Sequence, residues 1–425
     1  MSNQSNLRRR PRRIFIGPTE IAGYYANLSL GFREIGQRAE FIDLGTNPFK
    51  YTGSDPLPRL LRWRNALQET ARRGGLRRNL FRLLAKFLYC LWFVEAILRY
   101  DAFIFSFGNS LLPLNRDLPV LKSLGKTVIC NLSHGSEARP PYLDGSWYSQ
   151  DGRHPGFKEL RRLTQRTKSV VRTCEKSALW VIGAPYSSSP FLTRPFVNML
   201  AVGIPLGTQA GSGEGSPMKM KSKFGTSRFR VLHSPSHPFV KGTSAIRHAV
   251  RNLQDEGFDL ELVELQGVPN VAVMEEIAKC DFVIDQIFSD IPMAGFALEA
   301  AAIGKPAIVG GEHLEELKAF VPSGMWPPTV TCKPVELEET IRSLLSNPQE
   351  ISTRGTEARD FVEQKWRAGD VAQRYLSILR NQVPREWLLS PGSVPFPREV
   401  GISSSEAQKN IDAMIASFGP ESLGR

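Results

Sequence analysis

Short apolar runs alternate with longer amphipathic patterns along most of the chain. The first unit is a strand-like run at 13–17 (RIFIG), a helical pattern over about 21–35 and a second run at 39–44. Short buried runs separated by helical segments are typical of parallel strands with crossover helices. Residues 203–228 break the alternation with a Gly-, Ser- and Lys-rich stretch that has no period. Further strands are predicted at 102–107, 127–133, 178–183, 230–234, 260–265, 282–284 and 307–309.

This alternation predicts two domains, since a chain of 425 residues is too long for a single hydrophobic core. We predict the α/β class, with two Rossmann-like, doubly wound domains joined by a linker. The predicted boundaries are a basic arm at 1–12, an N-terminal domain at 13–205, a linker at 206–228, a C-terminal domain at 229–382 and a Pro-rich tail at 383–425.

The positive charge of the chain is local. The formal net charge is +12, and residues 1–13 contribute five Arg and no acid. Residues 59–99 contain ten Lys or Arg against two Glu, and the remaining chain is close to neutral. This distribution indicates an anionic surface near the N-terminal half. Nucleic acid is not expected as a partner, because aromatic residues are not interleaved with the basic run at 1–13.

The basic region at 56–99 is predicted to be helical. Its segment 80–98 is apolar enough to suggest a transmembrane helix, but Arg82, Lys86 and Glu95 lie within the ~20 residues that would span a bilayer. We therefore exclude a membrane-spanning segment here. The apolar positions form one helical stripe, at Leu80, Leu83, Leu84, Phe87, Leu88, Leu91 and Trp92.

Two interpretations of this stripe stay open. The helix faces the protein core, or it lies on an anionic membrane as a peripheral contact. In the second case the lipid headgroups would meet Arg72, Arg73, Arg77 and Arg78.

The cysteines and the N-terminus bear on the compartment. The five Cys are scattered, odd in number and without metal-type spacing, which favours free thiols in a reducing compartment. The N-terminus has no apolar core that could serve as a signal peptide. We expect a cytoplasmic protein, with membrane association on the cytoplasmic face as the variant that the basic region suggests.

The segment 281–311 (DFVIDQIFSDIPMAGFALEAAAIGKPAIVGG) is a strand, a loop, a helix and a second strand. The first strand ends in Asp285 and Gln286, and the helix carries one acid, Glu299. In open α/β sheets, ligands bind at the carboxyl ends of the strands. Glu299 can accept two hydroxyl hydrogen bonds from a ribose, and backbone N–H groups at 295–298 can meet a diphosphate.

A cation follows another predicted strand of the same domain. Lys241 precedes Gly242 and Thr243 at the start of a helix. A helix N-terminus favours anions through its unpaired N–H groups, and a lysine adds a full charge. The phosphate-loop pattern GxxxxGK[ST] is absent. Together with Glu299, Lys241 therefore predicts a nucleotide-sugar pocket.

Two features of the N-terminal domain are further candidates. His134 follows the predicted strand 127–133 and precedes a glycine, which is an expected position for a catalytic or binding side chain. Gly17 and Gly23 bracket the loop after the first strand, without GxGxxG spacing. They indicate either a tight turn with close helix–strand contact or a loop whose backbone a ligand approaches.

Two motifs of the C-terminal domain carry a family resemblance. The segments HSPSHPFVKGT (233–243) and MAGFALEAAAIGKPAIVGG (293–311) resemble the retaining GT-B glycosyltransferases with an E-x7-E donor motif, the family 4-like group 1 enzymes. Segments 17–44 and 100–139 are more weakly similar to the N-terminal domain of that family. The resemblance implies two Rossmann-like domains facing a cleft. It also implies transfer of a sugar from a nucleotide-diphosphate donor to an acceptor hydroxyl, with retention, in glycan, polysaccharide or glycoconjugate biosynthesis.

The resemblance also implies roles for individual residues. Lys241 would contact the donor diphosphate and Glu299 the donor ribose, while Asp285 and Gln286 would lie at the base or sugar edge. His134 and the Gly17–Gly23 loop would face the donor from the N-terminal domain. The leaving group would be stabilised by Lys241 and helix N-termini, so no metal or other cofactor is expected. The remaining donor-binding candidates are Ser234, Ser236, Gly295, Phe296, Ala297 and Leu298.

The chain departs from the family pattern at two positions. Ser236 stands where the family often has an arginine, and the first acid of E-x7-E would fall at Ile291. Asp290 is one residue out of register and Asp285 is a second substitute, so His134, Asp290 and Asp285 are the catalytic candidates. The alternative is a catalytically degenerate binding or scaffold protein. An enzyme that acts on a nucleotide sugar without an acceptor, such as an epimerase, is a third possibility. The acceptor would be a glycan or a lipid-linked molecule.

Overall fold

The computed structural model describes residues 11–45, 54–74, 77–207, 228–394 and 399–424. These residues form two mainly parallel sheets with helices around them, which confirms the predicted α/β class. The strands are β1 (Ile14–Gly17), β2 (Ala39–Phe41), β3 (Ala102–Ser106), β4 (Thr127–Leu132), β5 (Trp180–Gly183), β6 (Phe196–Asn198), β7 (Phe229–His233), β8 (Leu260–Glu264), β9 (Phe282–Ile284), β10 (Ala307–Gly310), β11 (Val330–Cys332) and β12 (Leu388–Leu389).

The helices follow the strands in the order of a doubly wound fold, with several single-turn pieces at the strand ends. They are α1 (Tyr24–Glu34), α2 (Arg59–Arg72), α3 (Arg78–Arg99), α4 (Asp117–Ser123), α5 (Phe157–Ser177), α6 (Pro185–Ser188), α7 (Met199–Val202), α8 (Pro238–Lys241), α9 (Thr243–Asp255), α10 (Asn270–Lys279), α11 (Gly295–Ala302), α12 (Leu314–Leu317), α13 (Leu337–Ser346), α14 (Pro348–Lys365), α15 (Ala368–Leu379) and α16 (Ser404–Phe418).

The N-terminal sheet has seven strands in the order β12-β6-β5-β4-β3-β1-β2. All its neighbours are parallel except β12, which pairs antiparallel with β6. Successive side chains of β1 lie on opposite faces of the sheet. Ile14 and Ile16 belong to one buried cluster, and Phe15 belongs to another. Helices therefore cover both faces of this sheet, as the unbroken apolar run predicts.

The C-terminal sheet has five parallel strands in the order β11-β10-β9-β7-β8. Its residues also alternate between two buried clusters, with Leu232 and Val283 on one face and Val231 and Phe282 on the other. The sequence pattern did not predict β6, β11 or β12, which have two or three residues each.

The chain crosses back to the N-terminal sheet after the C-terminal domain. Helix α15 packs against α1 so closely that a Cβ on Gly31 would lie 2.0 Å from the carbonyl oxygen of Ala368. The hydroxyl of Tyr375 lies 3.0 Å from that of Tyr24 and accepts a hydrogen bond from Asn131 of β4. The two domains are thereby joined by a second connection beside the predicted linker, most of which lies outside the described residues.

The residues assigned to the Pro-rich tail extend the N-terminal domain. Strand β12 adds the edge of its sheet, and α16 is capped by Ser403, whose hydroxyl accepts from the N–H of Glu406. Met414 of α16 is fully buried in a cluster with Tyr142 and Leu160. Between them, the N–H of Gly401 donates to the carbonyl of Phe288 in the C-terminal domain. The tail thus contacts both domains.

The basic region folds as the antiparallel pair α2 and α3. Helix α3 buries Ala85, Trp92 and Ala96, whereas Leu80, Phe87 and most of the predicted stripe are exposed. No helix of the described residues has the length and hydropathy needed to cross a membrane. Cys90 is exposed, and the other four cysteines are buried free thiols.

Candidate functional site

The two domains meet at the carboxyl ends of their strands. The loop after β1 lies against the start of α11, where a Cβ on Gly295 would lie 2.9 Å from the Cβ of Ala22. In a second contact between the domains, the hydroxyl of Tyr186 donates to the carbonyl of His313 at 3.3 Å. These contacts line the cleft in which the predicted site residues of both domains are found.

Lys241 reaches across the end of β9. Its Nζ lies 2.9 Å from Oδ1 of Asp285 and 2.8 Å from Oε1 of Gln286. The Lys241 side chain is 17% exposed to solvent, and the Asp285 side chain is buried. The second carboxylate oxygen of Asp285 has no hydrogen-bond partner among the described residues. The structure therefore brings these three predicted residues into one group, which contains a buried unpaired acceptor and a partly exposed cation.

The backbone around Lys241 is fixed by its neighbours. Gly242 has φ 72°, and a Cβ there would lie 3.0 Å from the Cβ of Ile287, so both conformation and space favour glycine. Helix α9 then begins at Thr243, whose hydroxyl meets Nε2 of the buried His233 at 2.9 Å. In the described part of the chain no side chain caps the start of α9, so its first N–H groups lack a side-chain acceptor, as an anion site requires.

Glu299 lies in the second turn of α11, half-buried. Its Oε1 accepts a 2.7 Å hydrogen bond from Nδ2 of Asn270 at the start of α10. Asn270 orients the carboxylate, and the sequence analysis did not single it out. The sequence gives only a weak signal for Asn270, because it lies 29 residues before Glu299 and no recognisable motif surrounds it.

The other donor-binding candidates lie at the same strand ends. No side chain caps α11, whose first two residues, Gly295 and Phe296, are half-buried and whose next two, Ala297 and Leu298, are buried. Ser234 donates its hydroxyl to the carbonyl of Leu265. Ser236 is exposed. The N–H groups at the start of α11 are thus available to a ligand, as they are at α9.

His134 bonds to residues of its own domain. Its Nε2 lies 2.7 Å from the hydroxyl of Tyr25, and its ring packs edge-on against Tyr24 at 5.1 Å between centroids. Burial lowers the pKa of His134 to about 3, so the imidazole is neutral at physiological pH. A neutral ring of this kind can exchange hydrogen bonds with a ligand but is a weak general base.

The Gly17–Gly23 loop owes its shape to the backbone. A Cβ on Gly17 would lie 2.4 Å from the carbonyl oxygen of Ile42, and Gly23 has φ 78° at the start of α1. The carboxylate of Glu20 accepts from the N–H groups of Tyr25 and Ala26 and holds the loop over the first turn. Both glycines therefore meet local steric demands, and the residues between them touch α11.

Asp290 forms an ion pair across the domain interface. Its carboxylate oxygens lie 3.2 and 3.1 Å from Nη2 of Arg139, and it also accepts from the hydroxyl of Ser187. Nη1 of Arg139 lies 3.3 Å from Oδ1 of Asp144, and all four residues are buried. Arg139 was missed as a functional candidate, although it lies only five residues after His134 in the same loop.

A second acid lies in that loop. Oε1 of Glu137 accepts from the N–H of His134 at 2.8 Å, and its other oxygen is buried without a partner in the described part of the chain. Burial raises the pKa of Glu137 to about 7. The cluster therefore balances one guanidinium against the carboxylates of Asp144 and Asp290, with Glu137 partly protonated near neutrality.

Ile291 stands where the resemblance described above would place an acid. Its side chain packs against the larger buried cluster, and its N–H donates to the hydroxyl of Ser289 at 3.2 Å. The neighbouring acid, Asp290, is turned towards Arg139 instead. The two substitutes named by the sequence thus differ: Asp290 is fully engaged by the facing domain, and Asp285 keeps a free oxygen.

Comparisons with known proteins bear on the fold. No protein-family model and no curated protein matches the chain. An alpha-glucosyltransferase solved with UDP and a 13-mer DNA is similar over 87% of this chain and 99% of its own, at 12% identity and a TM-score of 0.50. Anabaena HepE with UDP-glucose aligns over 88% and 100% at 13% identity and 0.47. S. aureus MnaA with UDP aligns over 87% and 97% at 13% identity and 0.44.

At these identities the likeness concerns the fold alone. It agrees with the two parallel sheets and with the cleft between their carboxyl ends. The chain has the GT-B architecture, in which two Rossmann-like domains face each other.

Proposed function

We propose that the protein is a glycosyltransferase that moves a sugar from a nucleotide-diphosphate donor to an acceptor hydroxyl. The observation that carries this proposal is the group at the carboxyl edge of the C-terminal sheet. Lys241 lies there beside the uncapped start of α9, and Glu299 is held by Asn270 near the uncapped start of α11. A diphosphate can be bound by the ammonium of Lys241 together with the N–H groups at the start of α9. The two hydroxyls of a ribose can be bound by the carboxylate of Glu299.

The proposed chemistry depends on electrostatic stabilisation of the leaving diphosphate. When the bond to the sugar breaks, negative charge grows on the β-phosphate and positive charge on the anomeric carbon. Lys241 and the N–H groups of α9 and α11 would stabilise the first, so we propose that the reaction needs no metal. Asp285 would orient the Lys241 ammonium towards the phosphate, since Oδ1 of Asp285 lies 2.9 Å from Nζ of Lys241.

We further propose retention, with the acceptor hydroxyl attacking the face that the diphosphate leaves. In that reaction the departing phosphate itself can take the acceptor proton. His134 would then serve as a hydrogen-bond partner of the sugar or acceptor, because its low pKa makes it a weak base. The free oxygen of Asp285 makes it the better placed of the two acids to lie beside the sugar, and Asp290 would hold the domains together.

The acceptor and the location are proposals as well. We propose a glycan or lipid-linked acceptor in glycan biosynthesis and a cytoplasmic enzyme that contacts an anionic membrane through 59–99. UDP is the first nucleotide to test, because UDP is bound to the alpha-glucosyltransferase that shares the fold.

A second candidate is a binding protein that has lost catalysis. The apolar Ile291 at the position of the family's first acid favours it, as does the engagement of Asp290 by Arg139. Such a protein would bind a nucleotide sugar without releasing its diphosphate.

One experiment separates the two. Thermal shift with nucleoside diphosphates and their sugars, followed by assay of diphosphate release with and without EDTA, tests binding and turnover on the same protein. We expect a raised Tm and turnover that EDTA leaves unchanged. Binding without release would favour the scaffold, and no shift with any nucleotide would contradict both.

Glu299→Gln tests the ribose role within that experiment. The amide keeps the size but loses the charge that two ribose hydroxyls would use, so we expect donor affinity and turnover to fall at least tenfold. Glu275→Gln, an exposed acid on α10, is the matched control. Normal donor affinity in the Glu299 variant would remove the ribose assignment.

A further inference from the structure

Helix α3 has two apolar faces, and the core uses only one. Ala85, Trp92 and Ala96 are buried against the N-terminal sheet and α2. On the opposite side, Leu98 is 80% exposed and Leu83 is 64% exposed. The spacing of three and four residues places the exposed side chains on a single stripe. We call this stripe the outer face of α3: Leu80, Leu83, Leu84, Phe87, Leu91, Val94 and Leu98.

Basic residues flank the outer face. Helices α2 and α3 with their turn carry ten Lys or Arg and two Glu, a net charge of +8. Four exposed arginines lie at the facing ends of the two helices. Among the residues that the structure describes, only Arg72 and Arg73 of these four approach an acid, Glu69, at 3.8 and 3.7 Å. An apolar stripe with a cationic flank is the pattern of helices that lie in a membrane interface. The four are Arg72, Arg73, Arg77 and Arg78.

We propose that the outer face of α3 docks on the surface of a bilayer that contains anionic lipids. The helix has 22 residues and is therefore about 33 Å long, enough to lie in the plane of the interface. Its apolar side chains would enter the acyl boundary while the arginines meet lipid phosphates. A second copy of the chain fits less well, because a symmetric contact would bring two surfaces of +8 together.

The outer face of α3 extends towards the edge of the N-terminal sheet that borders the cleft. Only Tyr100 and Asp101 separate α3 from β3, so the helix runs back along the sheet from the amino edge. Tyr89, at mid-helix, donates its hydroxyl to the carbonyl of Leu111, which lies beyond the carboxyl end of β3. The first half of α3 therefore extends past the carboxyl edge, where the cleft lies, and it begins there at Arg78. Leu114 of the loop at that edge is also 66% exposed.

This position gives the surface a consequence for the acceptor. A bilayer bound there would present lipid-anchored molecules to the cleft, so we infer a lipid-linked acceptor. That step depends on the proposed glycosyltransferase function, whereas the docking itself does not.

Vesicle binding tests the proposal on the full chain. The probes are phosphatidylcholine vesicles with and without phosphatidylserine, assayed by co-sedimentation at low and high salt. We expect salt-sensitive binding to the anionic vesicles only. The triple variant Leu83→Ser, Phe87→Ser, Leu91→Ser should lose binding at least tenfold, because it removes three apolar side chains that would enter the acyl boundary. Its control is Val271→Ser with Val335→Ser, two exposed valines of the C-terminal domain.

A charge variant tests the flank. The quadruple variant Arg72→Gln, Arg73→Gln, Arg77→Gln, Arg78→Gln should lower binding to anionic vesicles at least tenfold and reduce its salt sensitivity. The control replaces four exposed cations on other helices with Gln. They are Lys158, Arg166, Arg251 and Lys365. Circular dichroism and the donor thermal shift should match those of the unchanged protein in every variant, because none of the altered residues lies in the donor site.

Three outcomes would overturn the docking surface. They are no binding to anionic vesicles, equal binding to neutral ones, or retention of binding by both variants. A dimer in light scattering that the triple variant dissociates would assign the outer face to a second copy instead. A donor shift without vesicle binding would leave the proposed glycosyltransferase activity standing without its membrane contact, and vesicle binding without a donor shift would leave only the docking.

Discussion

At the scale of the residue, the candidate site consists of charges that hold one another in place. Asp285 orients Lys241, Asn270 orients Glu299 and Arg139 holds Asp290. Each pair joins segments that follow different strands, and the pair of Arg139 and Asp290 joins the two domains, so the carboxyl edges of the two sheets set the geometry. Pre-arranged partners of this kind lower the cost of ordering side chains when a ligand binds.

Lys241→Ala should weaken binding of the nucleoside diphosphate itself. A charge-assisted hydrogen bond to a phosphate contributes about 1.5–3 kcal/mol, so we expect affinity to fall roughly 10- to 100-fold. Isothermal titration with the diphosphate measures this, and Lys365→Ala, an exposed lysine on α14, is the control. Unchanged affinity would exclude the phosphate role of Lys241.

The pair of Arg139 and Asp290 should be coupled in stability. Arg139→Gln leaves the buried carboxylates of Asp290 and Asp144 without their guanidinium, which costs about 3–5 kcal/mol in comparable pairs. Adding Asp290→Asn removes one of those charges, so the double variant should recover part of the loss. Urea denaturation of the four proteins in the cycle gives the coupling free energy. Additive effects would mean that the pair contributes nothing as a pair.

At the scale of the element, close contacts between helices fix the domain arrangement. Helix α15 leaves the C-terminal domain and lies on α1, the helix that follows the Gly17–Gly23 loop. Because α1 begins where that loop touches α11, the packing of α1 on α15 also positions the loop at the cleft.

Gly31→Ala tests this packing. The added methyl would lie 2.0 Å from the carbonyl oxygen of Ala368, so a helix must shift. Overpacking of this kind costs about 1–3 kcal/mol, against a gain of about 1 kcal/mol in helix propensity. We expect a net loss in the free energy of unfolding, measured in urea. Gly392→Ala, where the methyl meets open space, should be neutral. A stabilised Gly31 variant would contradict the close contact.

At the scale of the whole molecule, the C-terminal tail ties the two domains together. Strand β12 extends the N-terminal sheet, α16 packs on the cluster of Tyr142 and Leu160, and Gly401 bonds to the loop after β9. The tail therefore encloses one side of the cleft, and its local stability should matter to how far the cleft opens.

Met414→Ala should release α16. The Met414 side chain is fully buried, and its removal costs about 2–5 kcal/mol. Since α16 is a peripheral element, the loss should appear as faster amide hydrogen exchange over 404–418. Ile415→Ala, at a neighbouring position that is 40% exposed, should change exchange much less. Equal exchange in the two variants would mean that α16 is not docked through Met414.

The sequence by itself determined the fold class and the main donor-site candidates. Both are local signals: strands alternate with helices, and Lys241 and Glu299 each follow a strand end within a short segment. The carboxyl ends of parallel strands meet at one edge, so the order of elements already predicts that these residues share it.

Only the tertiary structure decided which residues pair and which surfaces stay open. Arg139 and Asp290 are 151 residues apart, and Val197 of β6 pairs with Leu388 of β12, 191 residues later, so no local pattern predicts either contact. The stripe on α3 shows the same limit. Periodicity reveals that a helix has an apolar face, but whether that face is buried depends on what packs against it, and here the sheet and α2 cover the other side.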